Sequence, residues 1–160
     1  ARDKDAVVAS MLICEMAAYY KSQGKTLIDV MNGLYDEFGY YCNTVQSYTF
    51  EGAAGMEKMA AIMDGLRDNK PSSFAGYEVT KIDDYKTSKS TIVKTGEESE
   101  ITLPKSNVLA YTLTNGNKVI VRPSGTEPKI KAYITAIGQS EENAKEIAQR
   151  LLNDANELMK

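Results

Sequence analysis

Seven consecutive residues, Arg122-Pro123-Ser124-Gly125-Thr126-Glu127-Pro128, concentrate anion-binding chemistry in one turn. Arg122 supplies a guanidinium fork suited to bidentate contact with two oxygens of an oxyanion, and Ser124 and Thr126 supply short hydroxyl donors. Two prolines fix φ on either side, and Gly125 permits a φ that other residues avoid. The turn is expected to leave at least three backbone N–H groups free, in a concave row. Such a set suits a phosphate. Pro, Gly, Ser and Thr also build ordinary tight turns, so a purely structural turn is the competing account. Glu127 has the wrong charge for a phosphate contact, and its expected part is to orient Arg122.

The flanking segments must position this turn. The β-branched run Val119-Ile120-Val121 leads into it, and the alternation of Ile130, Ala132, Ile134 and Ala136 leads out along a strand. Lys129 and Lys131 are two apart on that strand and share the face opposite the apolar set. They would reinforce an anion site, and a solvated strand face is the plainer account of both. Upstream, strands over 108–113 and 118–121 flank Thr114-Asn115-Gly116-Asn117, and Asn-Gly is the preferred hairpin turn. Downstream, Ser140 can cap a helix with Glu141 and Glu142 in its first turn. Ala144, Ile147, Ala148, Leu151, Leu152, Ala155 and Leu158 give that helix its core stripe.

The first third reads differently. Residues 5–23 predict a helix apolar nearly all round, with Asp3 and Asp5 at its start and Gly24 at its end. Such a helix must be buried on more than one side, and few partners for it accompany it. Thr26 and Asp29 form a capping pair for a second helix carrying Leu27, Val30, Met31, Leu34 and Phe38, stopped by Gly39. Residues 40–50 are strand-like. Gly52 and Gly55 mark a boundary. Met56, Met59, Ala60, Met63 and Leu66 then stripe a helix over 53–68, read as core packing in preference to an adaptable binding surface. A strand is expected over 76–83. Residues 84–104 are polar without a sustained period, with short strands near 91–93 and 101–103.

The predicted fold is α+β: a helix, an about four-stranded, mainly antiparallel sheet with one hairpin, and a closing helix. Residues 53–160 form that domain, and 1–52 a helical remnant of a preceding α/β domain. With 160 residues, 42% apolar and 26% charged, the composition is that of a soluble globular protein. A net charge of −3 argues against a nucleic-acid surface. The apolar stretch 6–14 is too short to span a bilayer and lacks a signal peptide's flanks. Cys14 and Cys42, without any histidine, cannot build a thiolate zinc site and read as reduced thiols of a cytosolic protein.

The turn, followed by Lys129-Ile130-Lys131, resembles the phosphate-binding loop of the α-D-phosphohexomutases, and within them the phosphoglucomutase branch. Arg2-Asp3-Lys4-Asp5-Ala6 is similar to the start of a helix late in that family's third domain. The resemblance implies that 1–52 is the tail of that third domain and 53–160 the C-terminal phosphate-binding domain. It implies phosphate contacts from Arg122, Ser124, Gly125 and Thr126, a basic contact from Lys131 in preference to Lys129, and a phosphosugar contact from Lys4. It further implies an enzyme interconverting glucose 1-phosphate and glucose 6-phosphate through glucose 1,6-bisphosphate, with a phosphoserine donor and Mg2+ in a carboxylate-rich loop. No segment matches the serine, metal or sugar-specificity loops. The chain is therefore expected to bind and not to catalyse, with Mg2+ held outside it, alongside missing N-terminal domains of the same chain. Cytoplasmic localisation is expected, with no nucleic-acid or membrane partner. Gly96-Glu97-Glu98-Ser99 is similar to the family's sugar-binding motif but stands after the Arg-Asp-Lys-Asp segment instead of before it, and is read as coincidence. The alternatives are a phosphomannomutase or phosphoglucosamine mutase, or a non-catalytic anion- or nucleic-acid-binding module. The latter would want interleaved aromatics and a basic surplus.

Overall fold

The computed structural model describes residues 4–52 and 54–159, so Arg2 and Asp3 lie outside the described residues. Two compact units result, Ala1–Tyr40 and Tyr41–Lys160.

In the first unit, α1 (Ala6–Ser22) starts where expected, with the Asp5 carboxylate accepting from the Val8 N–H at 2.9 Å. The second helix, α2 (Leu27–Phe38), opens on the predicted box. Thr26 Oγ1 accepts from the Asp29 N–H at 3.2 Å, and Asp29 Oδ2 accepts from the Thr26 N–H at 2.8 Å. Neither helix contains a buried residue. Val7 is 71% and Ile28 72% exposed, and Met11, Leu12, Tyr19 and Phe38 are also open. With apolar side chains such as Leu27 and Val30 only partly buried, local backbone bonds and caps largely carry these helices, which makes them marginal. Amide hydrogens over 5–38 are therefore expected to exchange faster than those over 105–155. Equal protection in a demonstrated monomer would contradict this account.

The second unit takes in β1 (Tyr40–Thr49), α3 (Gly55–Asp68), β2 (Ser73–Phe74), β3 (Tyr77–Asp84), β4 (Lys89–Ile92) and β5 (Glu98–Glu100). It continues through β6 (Leu109–Leu113), β7 (Lys118–Pro123), β8 (Lys129–Gly138) and α4 (Glu141–Leu158). The strands form an eight-stranded sheet in the order β1-β8-β7-β6-β3-β4-β5, with β2 pairing off β3. The pairings from β2 through β8 are antiparallel. The α+β class and the antiparallel hairpin sheet stand, and the expected count of about four strands is corrected to eight.

The reason is physical. Strands β2, β4 and β5 are two to four residues long, too short to display an alternating period. Within 84–104 the strands fall at Lys89–Ile92 and Glu98–Glu100, earlier than the expected 91–93 and 101–103. Strand β1, grouped by sequence with the preceding remnant, lies beside β8. Thr135 Oγ1 donates to Asn43 Oδ1 at 2.8 Å, and the Phe50 N–H donates to the Pro128 carbonyl at 2.9 Å. The two compact units consequently divide at Tyr40/Tyr41, ahead of the 52/53 boundary read from the glycines.

One sheet face carries the core. Val119 and Val121 of β7, Ile130, Ala132, Ile134 and Ala136 of β8, and Leu109, Tyr111 and Leu113 of β6 are buried. They share one cluster with Met59, Met63 and Leu66 of α3 and with Ile147, Ala148, Leu151 and Ala155 of α4. The methionine stripe is thus core, with Met56 alone of its methionines left exposed. Ser140 Oγ accepts from the Asn143 N–H at 3.2 Å, capping α4 as read. The hairpin closes by the Leu113 N–H donating to Asn117 O at 2.9 Å around Gly116, whose φ of 83° is the left-handed one a three-residue loop requires. Cys14 and Cys42 are free thiols. Among the described residues, no helix is long and apolar enough to cross a membrane.

Candidate anion-binding site

Alternation on β7 and β8 decides what the open sheet face presents. With Val121, Ile130, Ala132 and Ile134 turned into the core, Arg122, Lys131 and Tyr133 take the other side. Register then brings two cations together: Arg122 pairs with Lys131, and Ile120 with Tyr133. Directly opposed residues have Cβ atoms about 4.5–5.5 Å apart, and like charges so placed repel. Among the described residues, neither side chain has an ion pair or side-chain hydrogen bond. Glu127, expected to orient Arg122, instead pairs with Lys129 at 3.2 Å. That pair neutralises Lys129 and leaves Arg122 and Lys131 uncompensated.

The loop between the strands is tied more tightly than the sequence suggested. The Ser124 N–H donates to Lys129 O at 2.7 Å, and the Lys129 N–H donates to Glu127 O at 2.7 Å. Ser124 Oγ accepts from the Thr126 N–H at 3.4 Å and the Glu127 N–H at 3.3 Å. The expectation of at least three free amides is therefore corrected: an acceptor is found for Ser124, Thr126 and Glu127, and Gly125 is the loop residue whose N–H has none among the described residues. The bonds to Ser124 Oγ are long, so an anion can compete for those two amides. Gly125 does not use the φ that a glycine permits: it is not among the positive-φ residues. A Cβ built there meets nothing within 4 Å. Its smallness leaves open space above its own amide, and no unusual backbone conformation demands it.

Arg122, Pro123, Ser124, Gly125, Thr126, Lys131 and Tyr133 line one hollow of about 340 Å³. Five of the six residues singled out by sequence thus converge. Lys4, the sixth, belongs to the other unit, one residue ahead of the Asp5 cap, and is exposed. Tyr133 was missed, although its parity with Lys131 already put it on the same face. Beneath the loop, Pro128 is held by the Phe50 N–H, and Gly55 at the start of α3 abuts the Phe50 carbonyl and the Pro128 ring. A hollow of about 430 Å³ between β4 and β5 offers no comparable field. Its lining sets Lys89 and Lys105 against Glu98 and Glu100, and Lys89 pairs with Glu98 at 2.7 Å. Glu98, the third residue of the Gly-Glu-Glu-Ser stretch, is thereby engaged in holding a strand pair.

The donor set of the loop, cationic and hydroxylic, suits an oxyanion and does not suit Mg2+, which takes carboxylate and water oxygens. Among the described residues, no group of three or more His, Cys, Asp or Glu could hold a metal ion.

Residues 57–154 match the family model described as phosphoglucomutase/phosphomannomutase, C-terminal domain. The chain is 36% identical over 152 residues to a phosphoglucomutase of Staphylococcus haemolyticus, covering 95% of this chain and 27% of that protein. It is 42% identical over 134 residues to a phosphoglucomutase of Staphylococcus aureus, covering 84% of this chain and 24% of that protein. In fold it is similar to the open form of the exocytosis-sensitive phosphoprotein parafusin (phosphoglucomutase) of Paramecium. The TM-score is 0.59 and the identity 17%, over 99% of this chain and 27% of that one. The chain thus spans about a quarter of the length of the relatives it matches. Because that family model matches more than half of the chain, the chain belongs to the phosphoglucomutase/phosphomannomutase C-terminal domain family.

Proposed function

We propose that these residues are the phosphate-gripping part of a phosphoglucomutase. They would hold the phosphate of glucose 1-phosphate, glucose 6-phosphate or glucose 1,6-bisphosphate while phosphate moves between the 1- and 6-positions. The observation that carries this reading is the uncompensated Arg122–Lys131 pair on the rim of a hydroxyl-lined loop. Like charges held side by side are tolerated where an anion bridges them. Arg122 would take two phosphate oxygens with its fork, and Lys131 would add a point charge. Ser124 Oγ already accepts two amides, so its hydrogen is left to donate outward. Thr126 would supply a second hydroxyl, and Gly125 its amide.

These groups bind and orient. Phosphoryl transfer also needs a metal and a phosphoryl donor, which in this reading come from other domains of the same polypeptide, Mg2+ included. In the same reading, residues 1–52 are the tail of the third domain and 53–160 the C-terminal domain, Lys4 contacts the phosphosugar, and the enzyme is cytoplasmic. The exposed apolar side chains of α1 support further contacts of that unit in the intact protein.

The test is a titration of the 160-residue chain with glucose 6-phosphate, followed by amide chemical shifts. Shifts centred on residues 122–131 are expected, with no turnover of glucose 1-phosphate in the presence of magnesium and the bisphosphate. Silent amides at 124–126 would remove the loop from the site. Turnover free of contaminating enzyme would overturn the binding-only role.

A further inference from the structure

We propose that Tyr133 is a specificity-determining residue that contacts the organic group of the bound phosphomonoester, making the site prefer a sugar phosphate to inorganic phosphate. The proposal rests on the phosphate reading of the loop. Tyr133 lines the same hollow as Arg122, Ser124, Gly125, Thr126 and Lys131 and is the aromatic residue in that lining. It stands two residues beyond Lys131 on β8, opposite Ile120. Two residues along a strand is a step of roughly 6–7 Å, farther than one phosphate group reaches. The anion donors therefore gather at the loop end of the hollow, and Tyr133 stands at the other.

Volume supports the same division. At about 340 Å³ the hollow lies within the range of small-molecule sites, roughly 300–1,000 Å³, and exceeds what a single tetrahedral anion fills. Tyr133 also takes no part in the core, and its cross-strand pairing with Ile120 engages its ring but not its hydroxyl. Its neighbours Ala132 and Ile134 turn into the core, while Tyr133 is half-buried on the opposite face. Its hydroxyl has no hydrogen-bond partner among the described residues. An apolar ring with a polar tip matches a ligand that offers both C–H faces and hydroxyls, which is the chemistry of a phosphorylated sugar.

The test compares inorganic phosphate with glucose 6-phosphate, titrated into the wild-type 160-residue chain and into Tyr133→Phe, Tyr133→Ala and Ser124→Ala. Wild type is expected to bind the sugar phosphate more tightly. Tyr133→Ala should weaken glucose 6-phosphate by about threefold to tenfold, the size of one lost hydrogen bond or ring contact, and inorganic phosphate by less than about twofold. Tyr133→Phe keeps the packing and loses the hydroxyl, so its ratio should fall between the two. If Tyr133→Ala fails to fold, the Tyr133→Phe ratio decides, and a ratio equal to wild type overturns the proposal. An equal loss for both ligands would assign Tyr133 to the phosphate instead, and no loss for either would make it a wall of the hollow. Ser124→Ala should weaken both ligands alike. If it changes neither, the phosphate reading fails on its own account, separately from Tyr133.

Discussion

Arg122→Ala is expected to weaken binding of glucose 6-phosphate by about tenfold or more while leaving the melting temperature nearly unchanged. A charge-assisted hydrogen bond contributes about 1.5–3 kcal/mol, and each 1.4 kcal/mol is tenfold in affinity. Arg122 can make two such bonds in parallel, so tenfold is the lower end. Folding is spared for a stated reason. The side chain is exposed on the open sheet face, bonds to no described side chain, and sits opposite Lys131, whose repulsion its removal relieves. Arg122→Lys keeps the charge but loses the fork, so it should recover only part of the affinity. Lys129→Ala is the control: Lys129 is outside the hollow's lining and pinned to Glu127, and its loss should matter less. Titration calorimetry and thermal melts on the same samples read both quantities. Intact affinity in Arg122→Ala, or a domain that simply unfolds, would return the loop to a structural turn.

How much of this was legible in the sequence depends on how local each cause is. The Asp5 and Ser140 caps, the Thr26–Asp29 box and the Gly116 hairpin are each written within a few residues, and each formed as read. The site was legible for the same reason: five of its seven lining residues, 122–126, are contiguous, and Lys131 follows by strand parity. What could not be read was the partner choice of groups whose options lie in space. Whether Glu127 would meet Arg122 or Lys129, and whether the loop amides would face outward or close onto Ser124 Oγ, depends on the path the loop takes between β7 and β8. The sheet behaves alike. Strand β1 has a clear β-rich composition, but nothing in it names β8 as its neighbour, and the bond from Phe50 to Pro128 spans distant parts of the chain. Strands β4 and β5 are too short and polar for periodicity to speak at all.

Two glycines close to the loop are expected to respond in opposite ways, and the contrast separates architecture from binding. Gly55 begins α3, and a Cβ there would collide with the backbone carbonyl of Phe50 and lie 3.2 Å from the Pro128 Cβ. Neither neighbour can retreat easily, because the Phe50 N–H is bonded to the Pro128 carbonyl at 2.9 Å. Gly55→Ala gains up to about 1 kcal/mol of helix propensity, but overpacking against rigid backbone costs about 1–3 kcal/mol. The clash should win, lowering the melting temperature by roughly 2–4 °C for each net kcal/mol in a chain of this size. Because Pro128 ends the loop, ligand affinity should fall with it. Gly125 has no positive φ and no neighbour within reach of a Cβ. Gly125→Ala should therefore leave stability unchanged or raise it by about 0.4–1 kcal/mol through the unfolded chain, and still weaken phosphate binding by placing a methyl in the hollow. Melts and titrations of the two variants side by side decide the matter. A Gly55→Ala protein that melts like wild type would mean the Phe50–Pro128 clamp yields freely. A Gly125→Ala protein that binds like wild type would remove the Gly125 amide from the site.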